Sequence, residues 1–474
     1  MPVAISTISG NAVTLSDQEV AEEVRMLFRG SVFTPGDDGY DEARAVENLH
    51  IDRRPGMIIQ CTGVADVIDA VNMARQRDLL IAVRGGGHHV AGHGTVDGGL
   101  VVDLSHMNGV WVDPSRRLVH VQGGATWGDV DRETQAFGLA VPGGIVSTTG
   151  VGGLTLGGGI GWLHRKWGLA CDNLRAVELV TAQGELVRAS SEENPDLFWA
   201  LRGGGGNFGV VVNFTFEARP LGPTVFAAPV FYRAADSRNV LRAWRDWAAD
   251  APDEVTTRAV FWTMPEAPGL PPAVHGQDVL ITAALYAGEA AEGAEVLEPM
   301  RKLAEPLADI GGEMPYRFFQ AAFDPLLVGL RSYWKSTYLD VLGDDAIDLI
   351  AERGMNRPHP KVIVHVPLMG GATGRVAATD TAFGDRSAPW MLSVDGNWTE
   401  PQHADRVISW TRDFIETAAR LPGAGGAYLN FSGDAPTDSA VIGAQFGANL
   451  ERLTEVKREY DPSNMFRTNN NIRP

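Results

Sequence analysis

The chain has 474 residues, 44% hydrophobic and 21% charged, with a formal net charge of −19. That length exceeds what one hydrophobic core usually holds and predicts two lobes in a soluble globular protein. The acidic balance argues against nucleic acid or an anionic membrane as partner, since both require clustered Lys and Arg.

Residues 15–30 carry a mixed polar and apolar pattern that predicts a helix, followed by a turn-rich loop from Pro35 to Tyr40. Met57–Cys61 reads as a strand. Val64, Val67, Ile68 and Val71 recur at helical spacing and predict a helix over 63–77. The β-branched run Leu79–Val83 predicts a second strand, completing a βαβ-like unit that ends in Arg84-Gly85-Gly86-Gly87-His88-His89. Strands follow at Leu100–Leu104 and Leu118–Val121, then a helix over 126–137. Val177–Thr181 and Glu185–Ala189 flank Ala182-Gln183-Gly184 as a hairpin, and Val210–Glu217 is a further strand. From 221 to 424 the glycine runs thin out and longer helices alternate with strands, which predicts an inserted lobe. After Gly425-Gly426 the chain passes Tyr428-Leu429-Asn430-Phe431 and enters a helix carrying Leu450 and Leu453, closed by Asp461-Pro462. The expected organisation is α+β, with segments 1–220, 221–424 and 425–474.

Gly accounts for 55 residues, concentrated in three runs of the first lobe: Arg84–His89, Gly143–Gly161 and Gly203–Gly209. Such runs are entropically costly unless something needs the backbone close, as a diphosphate or a flat ring does. Gly204 to Gly209 formally matches GxGxxG, yet Val210 to Thr215 follows it as a strand. The dinucleotide fingerprint must instead open a helix, so that reading fails. His88, His89 and His93 lie within six residues and raise the alternative of a metal-dependent hydrolase. Their neighbours are Gly and Ala, Asp97 is the only nearby acid, and no HExxH occurs, so no metal is expected. Two cysteines, Cys61 and Cys171, exclude a disulfide framework, and no run of about 18 apolar residues is present. The expectation is a cytoplasmic monomer or homodimer.

Four motifs resemble those of the vanillyl alcohol oxidase / p-cresol methylhydroxylase flavoproteins, in the berberine-bridge-enzyme-like branch. They are Arg84-Gly85-Gly86-Gly87-His88; Gly150-Val151-Gly152-Gly153 with Gly157–Gly161; Gly205-Gly206-Asn207-Phe208-Gly209; and Tyr428-Leu429-Asn430 with Lys457–Pro462. The resemblance implies an FAD-binding lobe of the p-cresol methylhydroxylase type, in two subdomains, and an α+β substrate lobe with an antiparallel sheet. It implies FAD, bonded through His88 to the flavin 8α carbon. Many members carry a second bond from a Cys at the position Val146 holds here, so attachment is expected through His88 alone. Cofactor contacts are expected from Arg84, Gly85, Gly86, Gly87, His88, His89 and Gly92. A second group comprises Ser147, Thr148, Gly150, Gly152, Gly153, Gly158 and Gly161. A third comprises Gly206, Asn207, Gly209, Val210, Asn430 and Asn470.

The resemblance further implies a flavin enzyme that takes a hydride from a substrate C–H at N5. Tyr428 matches the family's base, while His365, on the strand reading Val362–Pro367, takes the place of a usual acid. Either is a candidate for removing the substrate proton. The expected reaction is an oxidase turnover of a small molecule with O2, giving H2O2; a flavin dehydrogenase or an oxidative cyclase of secondary metabolism is the alternative. Phe261, Trp262, Tyr333, Trp334 and Trp390 are candidates to line its pocket.

Overall fold

A computed structural model describes residues 2–384, 386–433 and 439–474. Met57–Gln60, Ile81–Arg84 and Leu100–Asp103 are almost continuously buried, the pattern of strands covered on both faces. They pair in parallel with Leu100–Asp103 at the centre, and Val32–Phe33 adds antiparallel at one edge. Helix Val64–Gln76 connects the first two strands and buries Val67, Ala70, Val71 and Ala74. The helix expected over 15–30 is shorter and irregular. Glu19–Val24 is π-helical and Arg25–Leu27 closes it, with the carboxylate of Glu19 accepting from the N–H and hydroxyl of Ser16 at the start.

A second sheet holds five antiparallel strands in the order Leu186–Ser190, Leu174–Val180, Val210–Glu217, Leu118–Gln122 and Val110–Asp113. The last strand was not legible in the sequence because it is a half-exposed edge. It turns back at Asp113, whose Oδ1 accepts the N–H of Ser115 and Arg116. Helix Trp127–Gln135 starts at a reciprocal cap between Thr126 and Asp129.

The third sheet has nine antiparallel strands. Its middle runs Asp278–Tyr286, Val255–Thr263, Ile363–Pro367, Trp390–Trp398 and Arg331–Leu339. Side chains alternate between its faces. One face packs Phe261, Val364, Val366, Leu392 and Val394 against helices Ser237–Ala249, Asp344–Met355 and Ala404–Ala418, through Trp244, Ile347, Ile350 and Phe414. The opposite face carries Arg258, Val260, Trp262, His365, Asp395 and Trp334 and looks toward the glycine runs. Phe261 and Trp390 therefore belong to the helix-covered core, and Tyr333 packs with Trp398 and Val407; only Trp262 and Trp334 of the expected aromatics reach the other side. Among the described residues no helix is long and apolar enough to cross a membrane.

The C-terminal segment is fastened to the first lobe by a fully buried ion pair, Lys457 Nζ to Asp461 Oδ2 at 2.7 Å. The same ammonium donates to the carbonyls of Asn207 and Phe466, and Asp461 accepts the N–H of Met465 and Phe466. Every charge in this knot is matched, which is the condition under which a buried pair persists. Lys457→Met strands the Asp461 carboxylate and is expected to cost about 3–5 kcal/mol of unfolding free energy in chemical denaturation. A loss under about 1 kcal/mol would show that the knot does not hold the segment.

Candidate active site

Between the glycine runs and the open face of the nine-stranded sheet lies one cavity of about 460 Å³, within the size range of ligand sites. Its upper wall is backbone. A Cβ on Gly86 would lie 2.5 Å from Gly150 N, and one on Gly150 would lie 2.4 Å from Gly86 N, so the two loops touch main chain to main chain. Gly153 and Gly206 also line the cavity, and a Cβ on either meets nothing within 4 Å: the space beside them is open. The N–H groups of Gly86, Gly87 and His88 have no acceptor among the described residues. Asn470 lines the cavity with its Oδ1 unpartnered. A diphosphate-bearing cofactor with a flat ring fits these groups: it supplies acceptors for the N–H groups and fills the space at the bare glycines.

Several of the expected cofactor-contact residues do not line the cavity and are engaged within the protein. Arg84 does not line the cavity. Its guanidinium is held by Asp103 at 2.7 Å and by the carbonyls of Ala43 and Ala45. Ser147 is occupied by Asp324, which accepts both its N–H and its hydroxyl. Asn207 donates to the carbonyls of Gly204 and Asn470 and accepts from Ile472, which brings Asn470 to the wall. Gly92, Gly158 and Gly161 are glycines for packing, since a Cβ would strike Ile51, Phe383 or the Gly143 carbonyl at 2.7, 2.4 and 2.0 Å. Val210 is wholly buried in its strand. The remaining expected positions, Gly85, Gly86, Gly87, His88, His89, Thr148, Gly150, Gly152, Gly153, Gly206, Gly209, Asn430 and Asn470, do line the cavity, as does Val146.

His88 is half-buried, and burial lowers its pKa against the opposing pull of Glu47, Asp324 and the Thr148 carbonyl. His89 and His93 stack on each other, ring centroids 3.9 Å apart. Burial depresses His89 to about 4 and His93 well below its usual range. Asp97 is turned away, accepting the N–H of Arg54. His359, Glu400 and His403 do bring three ligand atoms within 4.8 Å of one another, but none of the three lines the cavity.

On the sheet side, His365 Nε2 lies 3.4 Å from Asp395 Oδ2, and Asp395 Oδ1 accepts from Ser393. His365 Nδ1 has no partner. Tyr428 is buried with its oxygen accepting from the N–H of Gly159 and Ile160 and from Asn430 Nδ2 at 2.8 Å. Burial outweighs these three donors and pushes the phenol up to about 12. The sequence reading missed Asp395, Arg258 and Asp324. Ser393, Asp395 and Asn397 are polar at alternate positions of an otherwise apolar strand, which is the signal that would have found the first.

Comparison with known proteins places the chain in a family. The family described as "FAD binding domain" matches residues 55–190, and "Berberine and berberine like" matches 427–473. The uncharacterized FAD-linked oxidoreductase YgaK of Bacillus subtilis (strain 168) is 31% identical over 459 residues, spanning 94% of this chain and 97% of that protein. An FAD-linked oxidoreductase of Dictyostelium discoideum is 30% identical, spanning 96% and 97%. This chain belongs to the FAD-linked oxidoreductases of the berberine-bridge-enzyme-like branch. Its fold superposes on the crystal structure of 6-hydroxy-D-nicotine oxidase from Arthrobacter nicotinovorans with a TM-score of 0.85, at 26% identity over 94% of this chain and 98% of that one. The α+β architecture is thus the p-cresol methylhydroxylase type, and the glycine loops of this FAD-linked oxidoreductase border the open space beside Gly153 and Gly206. Gly206→Ala puts a methyl group into that open space, where its Cβ meets nothing within 4 Å. It is expected to change unfolding free energy by no more than about 1 kcal/mol. The purified variant should nevertheless lack the 450 nm flavin band; retention of that band would place the cofactor elsewhere.

Proposed function

We propose that this enzyme is an FAD-dependent oxidase of a small molecule, with its flavin attached by one covalent bond, through His88. The carrying observation is the continuity of a single cavity, which runs from bare glycines at one end to the His365–Asp395 pair at the other. Gly85 to His88, Gly150 to Gly153, Gly206 and Asn470 would hold the cofactor. The depressed pKa of His88 keeps its imidazole neutral near pH 7, which is the nucleophilic form. A bond from it to the flavin methyl carbon would replace one C–H and the imidazole N–H by C–N, with O2 as the oxidant taking up the two protons and two electrons as H2O2. Val146 offers no second attachment, and Cys171 is fully buried with its thiol beside Asp172. Bound FAD supplies a hydride acceptor and a route for electrons to O2.

The chain's own task is to hold the substrate and take its proton. His365 suits the second part. Asp395 beside Nε2 fixes the tautomer with the proton on that atom, leaving Nδ1 as an acceptor. Tyr428, with its pKa at about 12, stays protonated at neutral pH and serves as a hydrogen-bonding group of the wall. The (R)-6-hydroxynicotine oxidase of Paenarthrobacter nicotinovorans, 29% identical and spanning 95% of this chain and 98% of that protein, supports the oxidase reading.

Anaerobically reduced enzyme mixed with air is expected to reoxidise within seconds; reduced flavin persisting for minutes would indicate a dehydrogenase or a cyclase. In the same preparation, acid precipitation should leave yellow colour in the wild-type pellet and release it to the supernatant from His88→Ala. In flavin-reduction kinetics, His365→Gln is expected to slow the rate by about 10²–10⁴-fold, the usual scale for a proton-transfer group. Tyr428→Phe should slow it much less, and the reverse order would make the phenol the base.

A further inference from the structure

We propose that Arg258 is the counter-ion of the substrate, and that the substrate carries a carboxylate on an apolar body. Arg258 is 5% exposed and lines the cavity, yet its Nε and Nη2 have no hydrogen-bond partner. The other buried arginines show what the fold does with a guanidinium it keeps for itself. Arg84 is satisfied by Asp103 and two carbonyls, and Arg165 by the carbonyls of Val255, Met369 and Ala251. Arg386 is gripped by both oxygens of Asp172. Arg258 alone among these four is left bare. The acid nearest to it in effect is Asp395, and that carboxylate is already engaged by His365 and Ser393. A buried cation without partners is among the most costly arrangements a core can hold, and such costs persist where a ligand relieves them.

The position is also built. The guanidinium carbon sits 4.5 Å over the Trp162 ring, which fixes its plane. Burial lowers its pKa only to about 10, so it stays cationic at neutral pH. Around it the cavity wall is apolar, formed by Val260, Trp262, Ile281, Phe323, Leu327 and Ile363. Among the described residues Arg258 is the only Arg or Lys that lines the cavity, against Glu47, Asp324 and Asp395. One cation among three acids suits a monoanion whose two oxygens match the guanidinium fork, and it disfavours a phosphate dianion. Register places the ends of the substrate. Arg258 pairs with Pro367 and Val260 with His365, so Arg258 and His365 are diagonal neighbours on one face, about 7–8 Å apart along the sheet. The oxidised carbon therefore lies close to the carboxylate, as in a compact hydroxy or amino acid with an apolar side group.

This inference rests on the cavity being the substrate site proposed above, and the test separates the two. The probes are benzoate and its neutral isostere benzamide, read by perturbation of the visible flavin spectrum and by melting temperature. Benzoate should bind the wild-type enzyme at least about tenfold more tightly than benzamide, the scale of a charge-assisted pair. Arg258→Met should abolish that preference, and Arg258→Lys should keep part of it. Without ligand, Arg258→Met should melt at or above the wild-type temperature, because it removes a bare charge from the interior. The proposal is overturned if benzoate and benzamide bind alike, if Arg258→Met still prefers benzoate, or if that variant melts well below wild type, which would make the guanidinium structural. A colourless preparation that is still stabilised by benzoate through Arg258 would sink the flavin reading and leave this one standing.

Discussion

Two glycines with no room between them determine what the first lobe is able to do. Gly86 and Gly150 meet main chain to main chain, and a side chain on either would push the loops apart. The contact strips the cavity's upper wall of side chains and leaves the N–H groups of Gly86 to His88 without internal acceptors. It also sets His88 at the edge of the open space, close to the Thr148 carbonyl of the opposite loop. The cost of glycine in two long runs is accepted because no other residue allows two backbones and a ligand to share that volume.

Several buried polar groups around that contact hold it in place through pairs within the protein. Arg84, the residue that leads into the first loop, is neutralised from below by Asp103. Asn207 and the Lys457–Asp461 knot tie the C-terminal segment to the third glycine run. Asp324, from the other lobe, holds Ser147 of the second loop. These polar groups are occupied in orienting the loops, and Arg84, Ser147 and Asn207 do not line the cavity. Arg258, His365 and Asn470 each carry an unpartnered atom, and all three line the same space.

The two walls of the cavity differ in how far they could be read from sequence. The upper wall is contiguous in the chain: three glycine runs, each a local pattern, were enough to predict a phosphate-bearing ligand before any fold was known. Arg84 and Asn207 lie off the cavity wall, and motif membership does not distinguish a side chain engaged within the loops from one that lines the cavity. The lower wall is assembled from five strands whose order is not their order in the chain, so Arg258, His365 and Asp395 become neighbours only through register. Periodicity told that strands exist in the second lobe, but it did not tell which face of each would meet the glycine loops. Phe261 and Trp262 illustrate the limit, being adjacent in sequence and on opposite sides of the sheet.

The same asymmetry separates what the site shares with its relatives from what is its own. A wall of backbone recognises a cofactor by shape and by N–H groups that any sequence of small residues supplies, so it tolerates little variation and carries the family signature. A wall of alternating side chains leaves each position independently replaceable, because exchanging one inward residue does not disturb the outward ones that pack against the helices. Tyr428 sits where the two walls join, its oxygen bound by backbone N–H groups of the glycine run and its own main chain bound to Ser336 of the sheet. A group fixed from both sides is suited to holding a position and poorly suited to changing its charge. The proton-transfer role proposed for His365 fits this contrast, since its tie to Asp395 leaves its second nitrogen available.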